Sequence, residues 1–300
     1  MPDVSQITPA ALRNLVRNAL AEDIGSGDAT TLSVVPAEHR ITAQLRSREA
    51  CVISGLMVAE MVFAELDPAV RVTRQAKDGD ACQPGDVLAT ISGPARAILT
   101  GERTALNFMQ RMTGIATLTR RFVDQLRHSK TRLLDTRKTT PGLRLLEKYA
   151  VTCGGGQNHR FGLYDRVMIK DNHLAVAALT GPGGLERAVQ AARSAYPKLQ
   201  VEVEADRLDQ VEAALQAQAD FILLDNMSTE QMAAAVAMRD RLYAHAQLEA
   251  SGNMTLDRLP DVAATGVDFI SVGALTHSAR AVDLGLDIDD IQHAYPDTAD

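Results

Sequence analysis

The residues best suited to chemistry lie in two polar segments, each of which follows a short apolar run. The first segment follows Leu134, has the sequence D-T-R-K-T-T-P-G and contains Arg137 and Lys138, and the second opens with Lys170 after the apolar run 167–169. Neighbouring cations about 4 Å apart repel each other by roughly 4 kcal/mol at an effective dielectric constant of about 20. Clustering them in a chain of formal net charge -7 requires a compensating anion, so the pattern predicts a small polyanionic ligand.

These segments need a scaffold that brings strand ends together, and the second half of the chain has the pattern of one. Short apolar runs alternate there with segments of helical periodicity, which is typical of a parallel sheet. The runs that we predict to be strands are 131–135, 167–170, 199–204, 221–225, 246–250 and 268–272. Because these six are fewer than the eight strands of a closed barrel, we expect an α/β fold with an incomplete parallel α/β barrel of about six strands.

Polar residues stand at or just after the end of each predicted strand. They are Arg137 and Lys138, Lys170, Glu204, Asp225, the triplet Ser251, Gly252 and Asn253, and the triplet Ser271, Val272 and Gly273. Because the carboxyl ends of parallel strands meet on one face, where α/β barrels carry their active sites, we expect these residues to converge. Loops after the last strands often bind phosphate through backbone N–H groups. The two triplets are therefore candidate phosphate-binding loops.

The first part of the chain has a different, β-rich pattern. Strict alternation of apolar and polar residues over 41–46 predicts a half-buried strand. Residues 95–127 have helical periodicity, and we expect Gly101 and Gly114 to interrupt it. Alternation returns at 282–288, which predicts a final strand near the carboxyl terminus.

Three motifs in residues 131–173 resemble the signature of the quinolinate phosphoribosyltransferase family, also called carboxylating nicotinate-nucleotide pyrophosphorylases. They are D-T-R-K-T-T-P-G-L-R, G-G-G-Q-N-H-R-F-G-L-Y-D and V-M-I-K-D-N-H, in that order. The resemblance extends, more thinly, over nearly the whole chain. It implies an amino-terminal α+β sandwich domain, 1–112, that is completed by the carboxyl terminus, 276–300, and a catalytic α/β-barrel domain, 113–275.

The same resemblance implies a pentosyltransferase of de novo NAD biosynthesis. Such an enzyme takes quinolinate and 5-phosphoribosyl 1-diphosphate and yields nicotinate mononucleotide, diphosphate and CO2. The resemblance also implies a Mg²⁺ ion, which we expect to be bound mainly through the diphosphate rather than by dedicated protein ligands. A homodimer or higher even oligomer with shared active sites is implied as well.

The roles implied for individual residues follow the charges of the two substrates. We expect the substrate-binding set to be Thr136, Arg137, Lys138, His159, Arg160, Lys170, Glu204 and Asp225, with Arg103 contributed by the neighbouring subunit. Arginine suits planar carboxylates because its fork donates two parallel hydrogen bonds. The expected catalytic residues are Glu204 and Asp225, which can stabilise an oxocarbenium-like centre, together with Lys138 and Lys170. The sequence leaves open whether His159 is instead a neutral structural donor.

Composition limits the classes of protein that fit. A hydrophobic content of 46% in 300 residues supports a substantial core, and a sequence pI near 5.5 with no long basic run argues against nucleic acid as a partner. The cysteines are Cys51, Cys82 and Cys153, and this odd number without C-x-x-C spacing suggests neither a disulfide framework nor a zinc site. Residues 1–10 lack the pattern of a signal peptide, and no run of 18 or more apolar residues occurs. We therefore expect a cytoplasmic protein that binds no membrane.

Two alternative functions remain open at this stage. The β-rich segment before residue 95 resembles the half-barrel of biotinyl and lipoyl carrier domains, yet such carriers present a modifiable lysine and none lies between Lys77 and Lys130. A paralogue of similar sequence occurs with molybdate-transport proteins, and the intact cationic set favours the quinolinate enzyme over it. The purine and pyrimidine phosphoribosyltransferases are disfavoured because their motif has paired acids, whereas Asp225 precedes Asn226.

Overall fold

The computed structural model describes residues 8–292, which form two compact units. The barrel unit comprises Arg121–Lys138 and Gly156–Leu275, and the amino-terminal unit comprises 8–120, 139–155 and 276–292. This division differs from the boundaries expected from the sequence at 113–120 and 139–155, which pack with the amino-terminal unit. The parts of the expected domains at 1–7 and 293–300 lie outside the described residues. Within 8–292, no helix combines the length and the apolar character needed to cross a membrane.

The helices and strands follow one another in two stretches. From the amino terminus they are α1 Pro9–Ile24, α2 Ala29–Val34, β1 Arg40–Ser47, β2 Cys51–Val52, α3 Leu56–Leu66, β3 Arg71–Arg74, β4 Ala81–Cys82, β5 Val87–Pro94 and α4 Ala95–Gln125. The second stretch contains β6 Arg132–Leu134, α5 Arg144–Cys153, β7 Val167–Ile169, α6 Asp171–Val176, α7 Gly184–Ala195, β8 Val201–Ala205, α8 Leu208–Gln216, β9 Phe221–Asp225, α9 Thr229–Leu242, β10 Gln247–Ser251, α10 Leu259–Ala264, β11 Phe269–Ser271, α11 Ala274–His277 and β12 Leu284–Gln292.

The barrel unit is built on a six-stranded parallel sheet. Its strand order is β6-β11-β10-β9-β8-β7, so each strand from β7 onward lies beside the next one in the chain, and β6 and β7 form the two edges. The predicted incomplete barrel of six strands is therefore confirmed. These strands are almost wholly buried, as expected when helices cover a parallel sheet. Leu134, Phe221 and Phe269 pack together at its core, with the two phenylalanine rings 6.1 Å apart.

The amino-terminal unit is organised around an antiparallel sheet of order β12-β1-β5-β3. Strand β1 alternates buried and accessible side chains, as its sequence predicts. Strand β12 pairs with β1 along its whole length, from Arg40 opposite Gln292 to Ser47 opposite Leu284. The expectation that the carboxyl terminus returns to complete this sheet is therefore correct.

Helix α4 corrects one expectation, because it runs unbroken from Ala95 to Gln125 through both glycines. A Cβ atom on Gly101 would lie 2.7 Å from the side chain of Leu66, and one on Gly114 would lie 1.9 Å from the carbonyl oxygen of Arg280. The glycines therefore allow close packing against α3 and against the segment before β12, and they do not end the helix.

Candidate active site

One cavity of about 460 Å³ lies at the carboxyl ends of the barrel strands. A volume of this size suits a small-molecule ligand. Ten of the residues predicted from the sequence line it together: Thr136, Arg137, Lys138, His159, Arg160, Lys170, Glu204, Asp225, Ser251 and Ser271. Met168, Leu223 and Glu249 complete the lining. The parallel order of the strands is the reason that residues so distant in sequence meet here.

The cations come from the segments that follow β6 and from the strand end of β7. Thr136 accepts a hydrogen bond from the backbone N–H of Lys138 at 3.1 Å, which folds the segment after β6 into a tight turn. Arg160 is only 8% exposed, and its Nη1 donates to the carbonyl oxygen of Arg166 at 3.0 Å. Burial, together with the nearby charge of Arg137, lowers the pKa of Arg160. Both effects favour an anion beside these two guanidinium groups.

The carboxylates come from the ends of β8 and β9. Glu204 accepts an ion-paired hydrogen bond from Nζ of Lys170, and both side chains are partly exposed. Oδ2 of Asp225 accepts from Nδ2 of Asn226 at 2.8 Å, and Oδ1 of Asn226 accepts from Nδ2 of Asn253 at 3.2 Å. The loop after β10 thus helps to hold the carboxylate that follows β9.

A buried polar layer surrounds His159. Oδ1 of Asp135 accepts the backbone N–H of His159 at 2.8 Å, and Nδ1 of the ring accepts the backbone N–H of Arg160 at 2.7 Å. On the other side of the ring, Nε2 lies 3.3 Å from carboxylate oxygens of both Glu202 and Glu249, which are 0% exposed. Both ring nitrogens therefore face protein groups, which favours the structural interpretation of His159 that the sequence left open.

The charges around His159 set its proton on Nε2. Burial lowers its pKa, but Glu249 and Glu202 more than offset that effect and raise it to about 10. This raised pKa favours the doubly protonated ring, whereas the hydrogen bond that Nδ1 accepts from the N–H of Arg160 requires an unprotonated Nδ1. The geometry therefore favours the singly protonated ring with its proton on Nε2, between the two carboxylates.

The hydrogen bond at Nδ1 bears on whether this cluster suits a metal ion. One ligand atom each of His159, Glu202 and Glu249 lies within 4.8 Å of the others, which is a spacing that a cation could occupy. A metal-bound imidazole needs a lone pair on the ligating nitrogen and usually donates its other N–H to an acceptor. Here Nδ1 accepts the backbone N–H of Arg160 and so has no proton to donate, which differs from the usual contact of a metal-bound imidazole.

The two candidate phosphate loops differ in their backbones. After β10, Gly252 and Asn253 have φ values of 93° and 49°, so both lie in the left-handed region. After β11, the N–H of Val272 donates to the carbonyl oxygen of Leu134 at 3.0 Å and continues the sheet. Ser251 and Ser271, the first residues of the two triplets, both line the cavity. The N–H of Val272 is thus already used within the protein.

Arg103 belongs to a different part of the chain. It lies on α4 in the amino-terminal unit and has an exposed side chain. The residues that line the cavity all belong to the barrel unit.

The sequence interpretation missed the buried acids Asp135 and Glu249. Each stands within or directly after a strand whose other inward residues are apolar, and that contrast is the signal that could have identified them. Their partner His159 is distant in sequence, so spacing alone gave no sign of the contact.

Comparison with known proteins identifies related chains over nearly the full length. The family model described as quinolinate phosphoribosyl transferase, C-terminal domain, matches residues 115–287, and the corresponding N-terminal domain model matches 28–113. The chain is 45% identical to nicotinate-nucleotide pyrophosphorylase (carboxylating) of Mycobacterium leprae, over 93% of this chain and 97% of the relative. It is 41% identical to the probable enzyme of that name from Bacillus subtilis, over 92% and 93%. The solved nicotinate-nucleotide pyrophosphorylase from Francisella tularensis superposes with a TM-score of 0.89 at 39% identity, covering 96% of this chain and 100% of that one.

Proposed function

The chain belongs to the quinolinate phosphoribosyltransferase family, and we propose that it transfers the phosphoribosyl group of 5-phosphoribosyl 1-diphosphate to quinolinate with loss of CO2. The product is nicotinate mononucleotide, an intermediate of de novo NAD biosynthesis. The observation that carries this proposal is the cavity in which Arg137, Arg160 and Lys170 lie with Glu204 and Asp225. Such a site offers cations to two anionic substrates and carboxylates to a cationic reaction centre.

The two carboxylates of quinolinate require cations on one side of the cavity. Arg137 and Arg160 supply planar guanidinium groups, which bind carboxylates through paired hydrogen bonds. Lys138 and Lys170 act as point charges for a carboxylate or for diphosphate. Removing one carboxylate from the ligand would leave part of this desolvated cluster without its anion, and unmade hydrogen bonds of charged groups are costly. The site therefore favours quinolinate over nicotinate.

Transfer begins at the anomeric carbon of the donor. The ring nitrogen of quinolinate attacks this carbon with its lone pair, and the bond to diphosphate breaks with both electrons leaving on the diphosphate. Glu204 and Asp225 stabilise the positive charge that develops on the ribosyl group. The bond from the ring to the adjacent carboxylate then breaks, its electron pair stays on the ring carbon beside the positive nitrogen, and a proton takes the place of CO2.

The residues of the site fit a Mg²⁺ ion carried by the diphosphate. Glu204 and Asp225 are hard oxygen donors, but Glu204 is paired with Lys170 and Asp225 accepts from Asn226. They would hold the ion mainly through its water ligands, while diphosphate oxygens supply most direct ligands. When bound, the ion neutralises charge on the leaving diphosphate.

The proposal includes a homodimer, or a higher even oligomer, in which Arg103 of one subunit completes the site of another. The exposed side chain of Arg103 and the exposed apolar residues Leu163, Tyr164 and Val176 support an interface with a second copy. A cytoplasmic location is also proposed. It is supported by the free cysteines, of which Cys51 and Cys82 are buried.

One assay tests the proposed reaction. The purified protein is supplied with the phosphoribosyl donor, Mg²⁺ and either quinolinate or nicotinate, and both CO2 and the nucleotide are followed. We expect stoichiometric CO2 and nicotinate mononucleotide from quinolinate, and a much lower rate with nicotinate. Equal turnover of the two acids would contradict the proposed selectivity. No turnover of quinolinate would contradict the proposed reaction and would leave the molybdate-associated paralogue as the alternative.

A further inference from the structure

Arg258 joins the two loops that follow β9 and β10. It ends a short 3₁₀ helix, Leu256–Arg258, that precedes α10, and its side chain is partly buried. Its Nη1 donates to the carbonyl oxygen of Gly252 at 3.1 Å, and its Nη2 donates to the carbonyl oxygen of Met227 at 2.9 Å. Within residues 8–292, neither carbonyl oxygen accepts a second hydrogen bond. All of these residues belong to the barrel unit.

The two loops have backbone conformations that need such support. Asn226, directly after β9, has a φ of 55°, and Gly252 and Asn253, after β10, have φ values of 93° and 49°. Left-handed conformations are unfavourable for residues other than glycine, and they persist where the surrounding structure fixes them. The loops are also joined directly, because the N–H of Asn226 donates to the carbonyl oxygen of Ser251 at 3.0 Å. Arg258 adds a second link between the same two loops.

Arginine suits this task because its planar fork presents several donors in fixed directions. In Arg258, the two terminal nitrogens of one guanidinium group bind carbonyl oxygens that come from different loops. A lysine ammonium would keep the positive charge, but it is a single point on a flexible stem and does not fix two carbonyl groups in the same way. Substitution can therefore separate the effect of the fork from the effect of the charge.

We propose that Arg258 is a positioning residue that fixes the loop 251–253 and Asp225 relative to each other, and thereby the phosphoribosyl donor. This inference rests on the proposed function of the cavity. The loop is a candidate phosphate-binding loop and Asp225 is the proposed stabiliser of the ribosyl cation, so both act on the donor. The proposed cations for quinolinate, Arg137 and Arg160, come from other segments. Arg258 acts through the backbones of the two loops and not by contact with substrate.

The kinetics of two variants of Arg258 separate positioning from charge. Arg258→Ala removes both the fork and the charge, and we expect it to raise KM for the phosphoribosyl donor by about tenfold while KM for quinolinate changes by less than about threefold. Arg258→Lys keeps the charge, and we expect its KM values to stay close to those of Arg258→Ala. Recovery of the original KM for the donor in Arg258→Lys would mean that the charge attracts the phosphates, and it would overturn the proposal. Equal increases of the two KM values would overturn it as well.

Arg193→Ala is the matched control. Arg193 lies on α7 in the same unit, and its Nη2 donates to the carbonyl oxygen of Gln218 at 2.6 Å. Gln218 also has a left-handed backbone, with a φ of 57°, but it precedes β9 and so lies at the opposite end of that strand from Asp225. The control variant removes the same kind of hydrogen bond away from the two loops, so we expect KM for the donor to stay within about twofold of the original. An increase as large as that in Arg258→Ala would contradict the role given to Arg258.

Hydrogen exchange of the protein without substrate gives a readout that needs no activity. The N–H of Asn226 bonds to Ser251 between the two loops, whereas the N–H of Gln247 donates to the carbonyl oxygen of Asp220 at 3.0 Å at the opposite end of the β9–β10 pair. We expect faster exchange of the Asn226 amide in both Arg258 variants and unchanged exchange of the Gln247 amide. Unchanged exchange at Asn226 overturns the proposal.

The two measurements separate a failure of this inference from a failure of the proposed function. If Arg258→Ala does not fold, Arg258→Lys supports both the kinetic and the exchange comparison. A protein that does not turn over quinolinate refutes the proposed function, whereas exchange at Asn226 still decides whether Arg258 fixes the loops.

Discussion

Gly252 stands where the candidate phosphate loop after β10 meets Asp225 at the end of β9, and its replacement by alanine tests how these parts support each other. Its φ of 93° lies in the left-handed region, where an L side chain costs about 1–2 kcal/mol. A Cβ atom would also lie 2.1 Å from Oδ1 and 3.0 Å from the backbone nitrogen of Asn226. The Asn226 side chain must therefore move.

Moving Asn226 breaks or weakens two hydrogen bonds, to Asp225 at 2.8 Å and from Asn253 at 3.2 Å. At about 0.5–1.5 kcal/mol each, the total cost of Gly252→Ala is about 2–5 kcal/mol. Because Asp225 loses its support, we expect kcat to fall by about tenfold or more.

Gly85→Ala is the matched control. Gly85 has nearly the same φ, 91°, but a Cβ atom added there would have no neighbouring atom within 4 Å. This variant should lose only the backbone term of about 1–2 kcal/mol and keep its kinetics. Melting temperatures and steady-state kinetics of both variants show whether Gly252→Ala loses more stability and activity than the control. Equal destabilisation of the two proteins, or normal turnover in Gly252→Ala, would refute the role given to Asn226.

Three further predictions concern charge, assembly and thiol chemistry. Glu204→Gln and Asp225→Asn keep the shape of the side chain but remove its charge, so kcat should fall by a larger factor than the affinity for quinolinate. Unchanged kcat in both variants would contradict their catalytic assignment. The Arg103→Ala and Lys138→Ala homodimers should each be nearly inactive. Co-expression of the two variants should recover roughly one quarter of the original activity, because a mixed dimer has one intact site. No recovery would mean that Arg103 serves the site of its own chain. Burial raises the pKa of the Cys82 thiol to about 11, so this thiol should react slowly with a maleimide at pH 8 until urea unfolds the chain. Rapid labelling at Cys82 of the native protein, located by peptide mass spectrometry, would contradict that burial.

The six barrel strands could be predicted because their signal is local. A strand of a parallel sheet is buried on both faces and is therefore a short apolar run, and polar residues at 135, 170, 225 and 251 mark the ends of four of them. Lys170, Glu204 and Asp225 could be chosen for the same reason, since each stands at or next to such an end. Arg160 stands at no strand end, and only the resemblance to the family identified it. Their convergence follows from the parallel order and needs no further information.

The parts that sequence did not reveal depend on contacts between distant residues. Gly114 looked like a break in α4, yet it makes room for the carbonyl oxygen of Arg280, far along the chain. Glu249 looked like an ordinary strand residue, yet it lies 3.3 Å from Nε2 of His159, which belongs to the segment between α5 and β7. Neither contact leaves a periodic trace in the local sequence, so only the folded chain shows it.

The order of the strands gives the cavity a direction. Starting at the β6 edge of the sheet, the residues at successive strand ends are Lys138, Ser271, Ser251, Asp225, Glu204 and Lys170. Cations thus stand at both edges of the sheet. The two candidate phosphate loops, after β11 and β10, lie next to the β6 edge, and the two acids, on β9 and β8, lie between these loops and the β7 edge. A donor whose phosphates occupied the loops would place its ribose beside the acids, since ribose is joined to both phosphate groups. In the proposed reaction, the ion pair of Glu204 with Lys170 would place a cation that can bind a carboxylate next to an acid that stabilises the ribosyl cation.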